Sequence, residues 1–229
     1  YYDNGNMERV TYPDNAYTAY TYYSNNDLKT VQNVNSSGTT IEAYNYAYDG
    51  NRNQTTVLDG YGTTRYEYNA LNQLAKETLY NGQITQYTYD GAGNRSTESV
   101  FVSAASEPDV TTYSYDGRNL LTATVEEKTN GSEVHTEFYY DNNGNLYSKL
   151  KSELAPVDEE AEASVGLLDS STEMTLYEYD VWNNLVKSIQ GEAVVENIYN
   201  GLGQRVQKAS STAEENKTTK YLYDGAQVA

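Results

Sequence analysis

Two stretches of this chain set a carboxylate among amides at a spacing that could hold a cation: Asp90-Gly-Ala-Gly-Asn94 and Asp141-Asn-Asn-Gly-Asn145. An EF-hand-type calcium loop draws oxygen ligands from such a run but needs a bidentate carboxylate at its twelfth position. Counting from Asp141 places Ser152 there, so both stretches read as turns. The single histidine, His135, lies in Glu133-Val-His-Thr-Glu137 with no G-x-S-x-G elbow or other nucleophile context, and reads as a sheet-surface residue. Gly201-Leu-Gly203 lacks the third glycine of a nucleotide fingerprint. Acids are plentiful, yet no pair recurs in a setting that would raise a pKa, as glycoside hydrolysis requires. Cysteine is absent, which removes disulfides, thiol catalysis and cysteine-based metal sites together. The expectation is a protein without catalytic residues, cofactor or metal.

What recurs instead is a phrase. Tyr87, Tyr89, Asp90, Gly93 and Asn94 spell Y-x-Y-D-x-x-G-N, and the phrase returns at Phe138, Tyr140, Asp141, Gly144 and Asn145. Looser copies carry Tyr20/Tyr22, Tyr46/Tyr48 before Asp49, Tyr66/Tyr68, Tyr113/Tyr115 before Asp116, and Tyr177/Tyr179 before Asp180. A lone Tyr199 precedes Gly203, and Tyr221/Tyr223 precede Asp224. The second tyrosines fall at 22, 48, 68, 89, 115, 140, 179, 199 and 223. Recurrence at this period marks a repeat array, and an array of one small unit builds a surface or wall rather than a catalytic pocket.

The elements follow from the phrase. Side chains alternate along a strand, so both rings of Y-x-Y share one face. Asp opens a turn, and the residue three further on needs a positive φ, as in a type I turn followed by a left-handed bulge residue. Where glycine is missing there, Asn26, Asn72, Asn119 and Asn183 stand in, and asparagine is the other residue that tolerates this conformation. A second strand then runs to a second turn, with Asn81-Gly82 and Asn130-Gly131 read as two-residue hairpin turns and Asp59-Gly60 and Ser36-Ser37-Gly38 as weaker ones. The fold class is therefore all-β, an array of antiparallel β-hairpins in a curved or spiralling sheet, with strands of about 6–8 residues. Helical periodicity is nowhere sustained; the best helix candidate is Asp158–Ser164. An acidic stretch at about 151–175 reads as a loop insertion into one array spanning 1–229, and both ends read as cut from a longer chain.

The tyrosines set the character of the sheet. Twenty-six of them stand against two phenylalanines and one tryptophan. A buried hydroxyl without a partner costs about 1–3 kcal/mol, which argues against a dry core of this many phenols. Either the hydroxyls reach backbone or water from a packed face, or the rings line a wet space. Exposed tyrosines also stack on sugar rings, which keeps glycan or cell-wall binding open as a second function. The formal net charge of −18, with no Lys/Arg cluster, argues against nucleic-acid partners and anionic membranes. If the acids lined the tyrosine face, they would suit a basic cargo.

The Y-x-Y-D-x-x-G-N-L phrase resembles the tyrosine-aspartate repeats of the RHS and wall-associated protein family, shared with toxin-complex cocoon proteins and teneurins. The stretch Tyr199-Asn-Gly-Leu-Gly-Gln-Arg-Val-Gln-Lys208 with Tyr221-Leu-Tyr-Asp-Gly225 resembles the segment just before that family's RHS-associated core. The resemblance implies a ribbon of hairpins forming part of a hollow β-cage wall, secreted or at the bacterial cell surface. It also implies a C-terminal toxin or cargo domain of the same parent chain as partner. No 18-residue apolar run occurs in the sequence, and no membrane insertion is expected. Three positions depart from the phrase: Tyr23 stands for Asp, Arg52 for Gly and Asn197 for the first tyrosine. Such lapses read as the degeneracy of a structural array.

Overall fold

The Asp turns decide the architecture, because each returns the chain alongside itself after one short strand. In the computed structural model, which describes residues 1–156, 171–224 and 227–228, the first unit (Tyr1–Asp109) holds β1 (Arg9–Thr11), β2 (Tyr17–Tyr22), β3 (Leu28–Val34), β4 (Thr40–Tyr48), β5 (Gln54–Leu58), β6 (Thr63–Tyr68), β7 (Leu74–Thr78), β8 (Ile84–Tyr89) and β9 (Arg95–Phe101). The second unit (Val110–Ala229) takes in β10 (Asp109–Tyr115), β11 (Leu121–Glu127), β12 (Glu133–Tyr140), β13 (Leu146–Leu154), β14 (Ser171–Tyr179), β15 (Leu185–Gln190), β16 (Ala193–Tyr199), β17 (Arg205–Ser211) and β18 (Asn216–Lys220). A separate pair, β19 (Tyr223–Asp224) and β20 (Gln227–Val228), follows. Within each unit every strand pairs antiparallel with the next in sequence, giving a meander. The expected all-β hairpin array is present, and no helix occurs among the described residues.

Left-handed backbone falls where the repeat places it. Asn26, Asn72, Asn119 and Asn183 have φ of 68°, 60°, 61° and 62°, in the same slot as Gly93, Gly144 and Gly203. Two turns differ from expectation. In Leu79–Gln83 the Gly82 amide donates to Leu79 O (3.0 Å) and Leu79 N to Gln83 O (2.9 Å), so Asn81-Gly82 is the end of a five-residue loop, not a two-residue turn. Asn130-Gly131 behaves alike between Lys128 and Ser132. A two-residue type I′ turn needs positive φ at both central residues; here only the glycines have it. The acidic insertion is also shorter than expected. Lys151 pairs with Glu173 and Glu153 with Ser171 as strand partners, so β13 and β14 extend into the 151–175 stretch from both sides. Asp158–Ser164 lies outside the described residues.

Conventional burial contributes little. Among the described residues, Val34 and Val134 are the buried apolar side chains, and the other buried positions are polar: Thr18, Asp27, Thr85, Thr136, Ser148 and Asn197. Hydrogen bonding must therefore carry much of the order. Among the described residues no helix is long and apolar enough to cross a membrane, which says nothing of a β-barrel.

Candidate functional site

The tyrosine hydroxyls find backbone. At Tyr22, Tyr48, Tyr68, Tyr89, Tyr115, Tyr140, Tyr179 and Tyr199 the strand register shifts by a bulge. A bulge leaves a ladder group unpaired, and the first carbonyl of the outgoing strand is what the next repeat's second tyrosine takes. Tyr68 donates to Gln54 O (2.9 Å), Tyr89 to Leu74 O (2.7 Å), Tyr140 to Leu121 O (2.9 Å), Tyr199 to Leu185 O (3.0 Å) and Tyr223 to Arg205 O (2.8 Å). Each phenol thus pins its own hairpin to the one before. Partial burial holds Tyr46, Tyr48, Tyr66, Tyr68, Tyr87, Tyr140 and Tyr179 above the usual phenol range, so they remain neutral donors at neutral pH.

The aspartates face inward into their own turns. Asp90 Oδ1 accepts from Ala92 N and Asn94 N (2.9 Å each), and Oδ2 accepts from Asn94 Nδ2 (3.0 Å). Asp49, Asp141 and Asp180 repeat this with Asn53, Asn145 and Asn184. At Asp116 the fifth residue is Leu120, and Arg118 Nε supplies the donor to Oδ2 instead (2.9 Å). Where Asn69 and Asn200 replace Asp, the fifth residue is Gln73 or Gln204, and the bond reverses, with Asn Nδ2 donating to Gln Oε1 (2.8 and 2.9 Å). These donors draw the Asp49, Asp90, Asp141 and Asp180 carboxyls below the usual range, the Asn side chain foremost, and the Leu120 amide does so at Asp116. A general acid needs the opposite shift. Asp141 and Asp90 therefore act as turn acceptors; among the described residues no group of three or more His, Asp or Glu is placed to hold a metal. His135 sits on the sheet surface, its Nε2 2.7 Å from Glu133 Oε2.

Successive turns are also clamped to each other, through the residue in the left-handed slot. Asn72 Oδ1 accepts Nδ2 of both Asn51 and Asn53 (2.9 Å each). Asn183 accepts Asn143 and Asn145 (3.4 and 2.9 Å), and Asn26 accepts Asn4 and Asn6 (2.9 and 3.0 Å). Two departures from the phrase turn out to belong to this clamp. Arg52, in the left-handed slot at φ 69°, reaches back through Nε to Asp27 Oδ1 (2.8 Å) with a second bond from its terminal nitrogen. Asp27 is the fifth residue of the turn opened by Tyr23, whose hydroxyl donates to Tyr46 O (2.8 Å). The acid has moved from first to last place in that turn, and an arginine answers it from the next. Asn197, in place of a tyrosine, donates Nδ2 to Leu185 O (3.0 Å), the carbonyl that Tyr199 also uses.

Sequence reading missed the threonine two places before the first ring. Thr18, Thr64, Thr85, Thr111, Thr175 and Thr219 make the phrase T-x-Y-x-Y, and Thr136 makes it with Phe138 as the first ring; Thr18, Thr85 and Thr136 are buried. The signal was present at period two, on the same face as the rings. Among the described residues the tyrosine side carries both signs of charge rather than an acidic lining. In the second unit the register places Asp109, Glu126, Glu153 and Glu173 on the tyrosine side, against Lys149, Lys151, Arg205, Lys208 and Lys217. In the first, Glu42, Glu77 and Glu98 share that side with Arg95, whose guanidinium lies 4.2 Å over the Tyr87 ring. Many acids instead occupy turns, where their charge is used locally. Between neighbouring turns on the Asp-turn edge lie equivalent clefts lined by the second tyrosine: about 430 Å³ at Tyr2, Asn4 and Tyr22, 350 Å³ at Tyr23, Asn25 and Tyr48, and 340 Å³ at Trp182, Asn184 and Tyr199.

This alternation of bulged hairpins locked by tyrosine has counterparts. Residues 65–100 match the family model described as RHS Repeat. The tRNA nuclease WapA of Bacillus subtilis (strain 168) is 30% identical over 156 residues, 68% of this chain and 6% of that protein. The chain carries the RHS repeat. A tRNA3(Ser)-specific nuclease WapA of Bacillus spizizenii is 31% identical over 157 residues, with the same coverage. The RHS repeats here thus span about 6% of the length of the curated relatives they match. The crystal structure of TcdB2-TccC3-Cdc42 shares the fold, at a TM-score of 0.58 and 12% identity over 93% of this chain and 11% of that one. The stretch is a structural RHS-repeat scaffold.

Proposed function

We propose that these RHS repeats form part of the encapsulating wall of an exported toxin or surface protein, with a C-terminal toxin or cargo domain of the same parent chain as the enclosed partner. The observation that carries the reading is that each repeated group is spent on geometry. Tyrosine hydroxyls bind bulge carbonyls, aspartates bind their own turns, and the left-handed residue binds the preceding turn. Catalytic chemistry is assigned to the cargo, consistent with relatives named as tRNA nucleases of which this chain covers a small part. A near-balanced tyrosine face suits a cargo held by enclosure rather than by charge. Limited proteolysis of the full parent tests this. The cargo resists protease while the repeats are folded and becomes sensitive when they are unfolded; equal sensitivity in both states contradicts enclosure.

A second reading, glycan or cell-wall binding, is favoured by the aromatic-lined clefts along the turn edge. Titration of the chain with wall polysaccharide tests it: binding lost on Tyr48→Ala and Trp182→Ala supports it, and no heat of binding opposes it.

A further inference from the structure

We propose that Tyr61 and Tyr80 form a dityrosine cross-linking site, a pair of phenols placed for coupling by a peroxidase-type one-electron oxidant using hydrogen peroxide. The two rings belong to successive turns on the edge opposite the Asp turns: Tyr61 lies between β5 and β6, and Tyr80 between β7 and β8. Their centroids are 5.9 Å apart with planes 29° from parallel, a stacked arrangement. Both are accessible to an oxidant, at 79% and 55% exposure. The backbone is shaped to allow the contact. Gly62 has φ +146°, and a Cβ built there would stand 2.8 Å from Tyr80 Cβ, so only glycine lets Tyr80 approach.

The other ring pairs are less suited. Tyr44–Tyr46 is stacked at 15° but farther apart at 6.4 Å, and both residues are half-buried and so less open to an oxidant. Tyr2–Tyr22 and Tyr23–Tyr48 meet edge to face, and Tyr2 and Tyr23 give their hydroxyls to backbone carbonyls. Tyr139–Tyr147 is tilted at 41° and farther apart at 6.4 Å, with the Tyr139 hydroxyl held by Glu137. The chain has no thiol to intercept a radical or to supply a disulfide.

In the reaction each phenol gives one hydrogen atom, a proton and an electron, to the oxidant. The two phenoxyl radicals couple through ring carbons ortho to oxygen, and the two ring hydrogens shift to oxygen to restore both phenols. One hydrogen peroxide is reduced to two waters, and the pair loses two hydrogens. The product ties two successive hairpins of the first unit together covalently.

The test is treatment of the dilute chain with peroxidase and hydrogen peroxide, followed by trypsin and mass spectrometry. Cleavage at Arg52, Arg65, Lys76 and Arg95 isolates the link as residues 53–65 joined to residues 77–95, lighter by two hydrogens than the sum of the two peptides and carrying dityrosine fluorescence. The proposal expects this species to dominate among intramolecular links, to vanish in Tyr61→Phe and in Tyr80→Phe, and to persist in Tyr139→Phe. Dityrosine formed mainly at other pairs or only between molecules, or undiminished in both 61 and 80 variants, overturns it.

Discussion

At the scale of single residues, the repeat is a set of donor and acceptor assignments that must agree in pairs. Asp with Asn, and Asn with Gln, close the same turn with the bond running in opposite directions. Asp90→Asn alone sets two amide N–H₂ groups against each other, so thermal unfolding should show a lower Tm, and Asp90→Asn with Asn94→Gln should recover most of it. An additive double variant would break the account of the pair. Arg52 offers a sharper case. Glycine suits a φ of 69° better than arginine does, yet Arg52→Gly leaves buried Asp27 without its cation. We expect Tm to fall by several degrees although the phrase is restored; a rise would show that the clamp is idle. Tyr89→Phe, which removes one hydroxyl and leaves Leu74 O unbonded, should cost about 1 kcal/mol in urea unfolding.

At the scale of elements, hairpin order and turn position were readable because they depend on local chemistry. Asp, Gly and Asn at fixed offsets specify a positive φ at one slot, and Asn72 and Asn183 have it. The loops at Asn81-Gly82 and Asn130-Gly131 were misread because the same dipeptide serves two loop lengths, and only the register distinguishes them. The clamp between turns was not legible, since it joins residues about 20 positions apart, such as Asn53 and Asn72. Arg52 and Tyr23 therefore read as lapses in the sequence alone. The turn carboxyls also make a pH prediction. Their folded pKa values lie below the ordinary Asp value, so their stabilisation is complete above about pH 4 and is lost as pH falls through the folded values. Tm measured against pH should drop below about pH 4, and less steeply when Asp90 and Asn94 are replaced by Asn and Gln; identical slopes would remove the turn from the explanation. Gly62→Ala forces a Cβ into Tyr80 and should destabilise by roughly 1–3 kcal/mol while separating the ring pair.

At the scale of the whole molecule, the absence of a deep apolar core among the described residues means that each repeat leans on its neighbours, as in other one-dimensional arrays. Removing one full repeat, residues 69–89, joins Tyr68 to Asp90 and preserves the phrase; the shortened chain should keep its β circular dichroism and a cooperative transition. The family was legible in the sequence because the phrase is long and repeated. The even charge of the tyrosine face was not, because composition gives the total and only the register assigns Lys149, Lys151, Lys208 and Lys217 to a side. The central claim is that the array encloses a cargo. Electron cryomicroscopy of the full-length parent tests it most directly: the account predicts a closed hollow shell whose wall contains these hairpins around internal density, and an open ribbon or solid rod with no enclosed density would contradict it.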